Sequence, residues 1–239
     1  MDTNTDKQDK HPTETHLGGD PEKKNGNPGA EIKEFGTVLA PESPVRIVSI
    51  IGQIEGHMNL PPQNKTTKYE HILPQLVDIE QDPKAKGFIL LMNTAGGDVE
   101  AGLALAEMIA GMSKPSVSLV LGGGHSIGIT LAVSTDHMIV SETASMTIHP
   151  IRMSGLVIGV PQTFNYFNKM QRRIVRFVCS HSRITEEEYR RLMLQTDEMA
   201  NDCGTVLVGS EVVDCGIGDE IGTFQTAMNK LKTMMETPQ

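Results

Sequence analysis

Residues 122–128 read Gly-Gly-Gly-His-Ser-Ile-Gly, with an apolar run, Val117–Leu121, before them and another, Ile127–Val133, after. That order predicts a strand, a tight turn and a helix. Such a turn lifts the Ser126 hydroxyl to the end of a sheet and aims unused backbone N–H groups beside it. The chemistry this suits is nucleophilic attack with a nearby oxyanion hole. Taken alone, the turn also suits a plain capping serine.

A serine nucleophile needs a base, and the base needs an orienting acid. His149 is the best base, because it ends the short apolar run Ser145–Ile148 and is followed by Pro150. His125 touches the serine in sequence, but neighbouring side chains on a turn point apart, so it reads as a supporting or turn residue. For the acid, Asp202, Asp197 and Glu198 all lie between a helix and a short strand near Val206. Spacing does not choose among them. The natural pair of oxyanion donors is the Gly97 amide, in the turn Asn93-Thr94-Ala95-Gly96-Gly97-Asp98, and the Ile127 amide. A glycine turn opening a helix also suits a phosphate or a coenzyme A diphosphate, but neither G-x-x-x-x-G-K-[ST] nor G-x-G-x-x-G accompanies it.

These groups require elements to hold them. Val45–Ile51 predicts a strand, Asn59–Thr67 a loop, and Tyr69–Ile79 a helix that kinks or restarts at Pro74. Gly87–Met92 is a continuous apolar run, as in a strand covered on both faces. A helix over Val99–Met112, a strand over Ser116–Leu121 and short strands at His137–Val140 and Ser145–Ile148 follow. The result is an α/β crossover series whose glycine turns share one sheet edge. Farther on, Pro161–Cys179 predicts a long amphipathic helix, Thr185-Glu186-Glu187-Glu188 a capping box, Val206–Val208 a strand, and about 223–237 a last helix.

Composition limits the function. Net charge is −9, which disfavours nonspecific nucleic-acid binding. No run reaches the ~20 apolar residues of a membrane span, and the N-terminus lacks signal-peptide order, so a cytoplasmic protein is expected. Cys179, Cys203 and Cys215 are odd in number and lack C-x-x-C spacing, which argues for reduced thiols rather than disulfides or a zinc knuckle. No metal or cofactor is expected. Residues 1–34 are polar and almost free of aliphatic residues, which predicts a disordered tail ahead of a single domain over 35–239.

The blocks together resemble the Clp protease proteolytic-subunit family, the ClpP-like serine peptidases. The likeness is carried by Gly52-Gln53-Ile54-Glu55-Gly56-His57-Met58, by Asn93 to Gly97, by Gly122 to Gly128, by Met146-Thr147-Ile148-His149 and by Ser210 to Asp219, and covers about residues 45–235. GGGHSIG, TIHP and GLVIGVPQTF point to the translocation-enhancing branch found in spore-forming bacteria. The resemblance implies a ClpP/crotonase-like α/β fold of repeated β-β-α type units with a protruding handle helix, Pro161–Cys179. It implies Ser126 as nucleophile, His149 as base, Asp202 as acid, and the Gly97 and Ile127 amides as oxyanion hole. It further implies a homo-oligomer, a heptameric ring stacking to a tetradecamer, that cleaves peptides or unfolded proteins.

The chain departs from the family at Thr94-Ala95, where Ser-Pro is usual, at His125, where a small residue is usual, and in an acid region about two residues longer. The insertion around Pro61-Pro62 and the tail fall where a Clp ATPase would dock, which leaves that partner open. Two other classes compete with the peptidase: a crotonase-like acyl-CoA enzyme using the same hole, which needs no Ser126–His149 pair, and a non-catalytic assembly subunit.

Overall fold

The computed structural model describes residues 43–153, 158–197 and 202–236. The proposed tail and Glu198 lie outside them. Eight strands are present: β1 (Val45–Glu55), β2 (Thr66–Lys68), β3 (Gly87–Gly97), β4 (Ser116–Gly124), β5 (His137–Val140), β6 (Ser145–Ile148), β7 (Thr205–Val208) and β8 (Glu220–Ile221). Among the described residues the helices are α1 (Tyr69–Gln81), α2 (Val99–Ala110), α3 (Ile127–Ala132), α4 (Val160–Ser180), α5 (Glu186–Leu194), α6 (Ser210–Asp214) and α7 (Phe224–Glu236). The main sheet runs β2-β1-β3-β4-β5-β8 with every pairing parallel. A smaller annex leaves β4 through one parallel bridge, Gly123 to Ser145, and continues as an antiparallel β6–β7 pair.

The alternation of each strand divides its side chains between two cores. Phe88 and Leu90 face the larger core, with Ile72, Leu76, Leu105, Ile129 and Val178 from the helices. Ile89, Val117, Leu119 and Ile139 face the other side, where Ala227 and Leu231 of α7 cover them. Phe88, Ile89 and Leu90 are all fully buried, as the unbroken apolar run predicts. Burying each such side chain stabilises the fold by about 1.5–3 kcal/mol. The α7 cover is incomplete, and Ile51 and Leu121, farther along the same faces of β1 and β4, stay about half exposed.

Three strands run farther than their apolar stretches suggest. β1 continues through Gly52 with a register shift at Gly52/Gln53, β3 continues to Gly97, and β4 to Gly124. The glycine segments are thus still paired sheet when they reach the edge. The expected loop over Asn59–Thr67 ends in the short strand β2. The expected restart at Pro74 does not occur, since α1 runs unbroken from Tyr69 to Gln81. Pro74 lies early in that helix, and the carbonyl deprived of its amide is that of Glu70, an exposed first-turn residue.

The contact between α2 and α3 sets the height of the serine turn. A Cβ added to Gly102 of α2 would lie 2.3 Å from Cγ1 of Ile127, so the two helices meet at a bare backbone. Gly102→Ala therefore forces Ile127 to move. Although alanine favours a helix by about 1 kcal/mol over glycine, the crowding is expected to win and lower stability by a net amount of about 1–3 kcal/mol in urea unfolding.

Candidate active site

Ser126 is the only non-glycine residue with positive φ among those described, at φ 56° and ψ −122°. An L side chain in that region costs on the order of 1–3 kcal/mol and needs support from its surroundings. The support is visible. The Ser126 amide donates to the Thr147 carbonyl at 2.9 Å, and the His125 amide donates to the Thr94 carbonyl at 3.1 Å. On the helical side, the Gly128 amide donates to the His125 carbonyl at 2.9 Å and the Ile129 amide to the Ser126 carbonyl at 3.0 Å. The turn is thus stitched to the ends of β3 and β6 on one side and to its own helix on the other.

The glycine turn of β3 lies directly against this elbow. A Cβ on Gly96 would be 2.9 Å from Cβ of Ser126 and 2.7 Å from the His125 carbonyl oxygen, and Gly96 itself has φ 83°. Only glycine fits there. Thr94 braces the turn from within: its buried hydroxyl donates to the Gly52 carbonyl at 2.6 Å and accepts from the Gly96 amide at 3.0 Å. Next along, the Asp98 amide donates to the Ile54 carbonyl at 3.0 Å. In a parallel ladder this pattern keeps the amide of the intervening residue, Gly97, off that neighbour. The Asp98 side chain then caps α2 by accepting from Ala101 at 2.8 Å. Ile127, as the first residue of α3, has no intrahelical acceptor for its amide. Both expected oxyanion donors therefore flank Ser126.

His149 follows directly after β6. Its Nδ1 lies 2.7 Å from the Pro150 carbonyl oxygen. A carbonyl only accepts, so this bond places the proton on Nδ1 and leaves Nε2 with a free lone pair. That is the tautomer a general base requires. His125 has its Nδ1 2.9 Å from the Thr147 hydroxyl, and its ring occupies the space over Gly123, where a Cβ would lie 2.6 Å from its Nε2. Burial, and then the charge of nearby His149, hold His125 below the ordinary imidazole range, so it is neutral near pH 7. Its closeness to His149 is the feature the sequence reading missed.

The acid stands apart. Among the described residues no hydrogen bond joins the Ser126 hydroxyl to His149 or His149 to Asp202. One Asp202 oxygen lies 2.5 Å from Arg152 Nη2, and the other accepts from the Cys203 amide at 2.8 Å. Asp197 is exposed beyond the end of α5. Three other histidines are engaged elsewhere, His137 with Asp219 and Glu220, His57 with Tyr69, and His181 stacked on Phe177. Burial pushes the Cys179 and Cys215 thiols up, which disfavours the reactive thiolate. Lys114 donates to the carbonyls of Ile79 and Asp82. No helix among the described residues is long and apolar enough to cross a membrane.

The elbow and the sheet that carries it have counterparts among known proteins. The family model described as Clp protease matches residues 42–225. The chain belongs to the Clp protease family. It is 54% identical over 212 residues to the translocation-enhancing protein TepA of Halalkalibacterium halodurans, covering 87% of this chain and 83% of that one. It is 29% identical over 120 residues to an ATP-dependent Clp protease proteolytic subunit of Leuconostoc citreum, covering 49% of this chain and 54% of that one. A solved structure of a mutant ClpP1 from Listeria monocytogenes matches 77% of this chain and 94% of its own, with a TM-score of 0.61 at 20% identity. The ClpP fold expected from the sequence is therefore the fold observed.

Two outcomes test the Clp-family site as described. Thr94→Val strands the Gly52 carbonyl and the Gly96 amide in a buried place and should cost about 1–3 kcal/mol in urea unfolding, whereas Thr94→Ser should cost far less. For His125 the folded-state titration lies below the ordinary 6.5. Just below that pH the unfolded chain binds more protons than the folded one, so stability falls as pH drops through that window. Thermal melts across pH should show this loss in the wild type, and a flatter profile in His125→Gln.

Proposed function

We propose that the chain is a serine endopeptidase acting on peptides or unfolded protein through an acyl-enzyme. The observation that carries this reading is the strained backbone of Ser126, held between Thr94 and Thr147 and flanked by the Gly97 and Ile127 amides. Strain of this kind is retained where the surrounding fold enforces it, and its effect here is to present the hydroxyl.

In the proposed mechanism the Ser126 oxygen attacks the scissile carbonyl while His149 Nε2 takes its proton. The carbonyl oxygen becomes an oxyanion, met by the Gly97 and Ile127 amides; removing one such donor from a hydrolase typically costs 10²–10³ in rate. The C–N bond then breaks and the leaving amine takes the proton from His149. Water, deprotonated by the same nitrogen, cleaves the ester and restores the serine. Asp202 is the proposed acid, able to hold the His149 Nδ1 proton once Arg152 releases it.

Family membership also supports assembly into a ring. The N-terminal half of α4 leaves Val160, Phe164 and Tyr166 more than half exposed, which supports the handle as the stacking surface of a heptamer or tetradecamer. A cytoplasmic setting belongs to the same proposal, which holds equally for an ATP-independent peptidase and for one served by a partner.

The test is labelling of the full chain with a fluorophosphonate probe. Wild type should react at one site, Ser126→Ala should not react, and His149→Ala should react at least 100-fold more slowly. Folded wild type that resists the probe, or undiminished labelling of Ser126→Ala, overturns the reading and leaves a non-catalytic role as the better account. A specific observation already favours weighing that role: His149 and Asp202 each have a partner other than the other.

A further inference from the structure

We propose that Arg152 is a positioning residue that withholds Asp202 from His149, so that the site shown here is a Ser–His pair whose carboxylate is held in reserve. The inference rests on the peptidase reading above and concerns the same corner of the molecule.

The register of the annex brings the three groups to one corner. β6 and β7 are antiparallel, with Ile148 opposite Thr205. The segment leaving β6, His149 to Arg152, therefore runs beside the segment entering β7, Asp202 to Gly204. The imidazole and the guanidinium are three residues apart on one side, and the carboxylate is on the other. A carboxylate oxygen can accept from two donors, but the guanidinium draws Asp202 toward itself, and among the described residues no hydrogen bond joins that carboxylate to His149. In this structure Arg152 has one oxygen at 2.5 Å, and the Cys203 amide takes the second oxygen at 2.8 Å.

His149 meanwhile gives its Nδ1 proton to the Pro150 carbonyl at 2.7 Å, the bond a triad acid would otherwise accept. The carbonyl fixes the same tautomer as a carboxylate would. What it lacks is a full negative charge to stabilise the imidazolium formed when Ser126 loses its proton. In the proposed exchange Arg152 releases Asp202 and the carboxylate replaces the Pro150 carbonyl at Nδ1.

The latch is light. The Arg152 and Asp202 side chains are 48% and 38% exposed, and ion pairs at such sites are weak. A weak pair is readily exchanged, so the expected effect on rate is modest. One departure of this chain from the family meets here, the longer acid segment that carries Asp202 to Arg152.

The experiment measures fluorophosphonate labelling rates of the full chain in a mutant cycle at residues 152 and 202. Arg152→Gln should label about 3–10-fold faster than wild type. Arg152→Lys, which keeps a cation, should label more slowly than Arg152→Gln. Asp202→Asn should cost at least fivefold more in the Arg152→Gln background than in the wild-type background, because there the carboxylate reaches His149 without first leaving Arg152. Should the glutamine variant not fold, Arg152→Met, which keeps the aliphatic stem, takes its place in the cycle. Equal costs of Asp202→Asn in both backgrounds, or a gain at Arg152 that survives Asp202→Asn, overturns the latch while leaving the peptidase intact. Loss of labelling in every variant including folded wild type overturns the peptidase reading itself.

Discussion

The backbone of one residue governs the arrangement of the rest. Ser126 occupies a region that an L residue enters only under compulsion, and its neighbours supply it through hydrogen bonds from two different strands. Thr94 on β3 holds the residue before it, and Thr147 on β6 holds its own amide. Each threonine has a second task with its hydroxyl. Thr94 pins the Gly96 amide and the Gly52 carbonyl, and Thr147 meets the His125 ring. The elbow, the glycine turn and the His125 imidazole are thereby one bonded unit.

That unit depends on a parallel sheet. Parallel neighbours bring the C-terminal ends of β1, β3 and β4 to the same edge, so Ile54, Gly97 and Gly124 arrive together. The base comes from elsewhere, on an annex joined to β4 by a single bridge. The proposed nucleophile and oxyanion donors therefore rest on the main sheet, while the proposed base and acid rest on a smaller two-stranded piece. The bond from the Ser126 amide to the Thr147 carbonyl ties the two pieces, so an adjustment of the annex bears on the elbow as well as on His149.

The same division explains what the sequence disclosed. Local signals found the strand, tight turn and helix of the elbow, because a glycine-rich turn separates two apolar runs, although that turn alone suited a capping serine as well. They found β3, whose apolar run is long, and the Thr185 cap, whose hydroxyl does accept from Glu188 at 3.2 Å. They stopped short at Gly52, since a glycine at φ 77° reads as a terminator although the pairing resumes after it. β2 and β8, with three and two residues, are too short to carry a period. The Arg152–Asp202 pair spans fifty positions and exists only through the β6–β7 register, which no local pattern encodes. Likewise, only the fold brings the His125 ring near His149.

The handle helix adds a connection that bears on how assembly would reach the site. The C-terminal half of α4 is anchored by Met170, Ile174, Val175, Phe177 and Val178, while its first half is largely exposed. From the anchored end Arg173 grips Glu100 with both nitrogens, at 2.7 and 3.0 Å, and this bonding holds the Glu100 carboxyl below its usual range. Glu100 lies in the first turn of α2, three residues after Gly97. Both side chains are about half exposed, so the pair adds little to stability. Its two-pronged geometry nonetheless fixes direction, since a planar fork tolerates little rotation. A handle gripped at one end by another subunit would therefore bear on the turn that presents the Gly97 amide, through a link whose weakness allows it to yield.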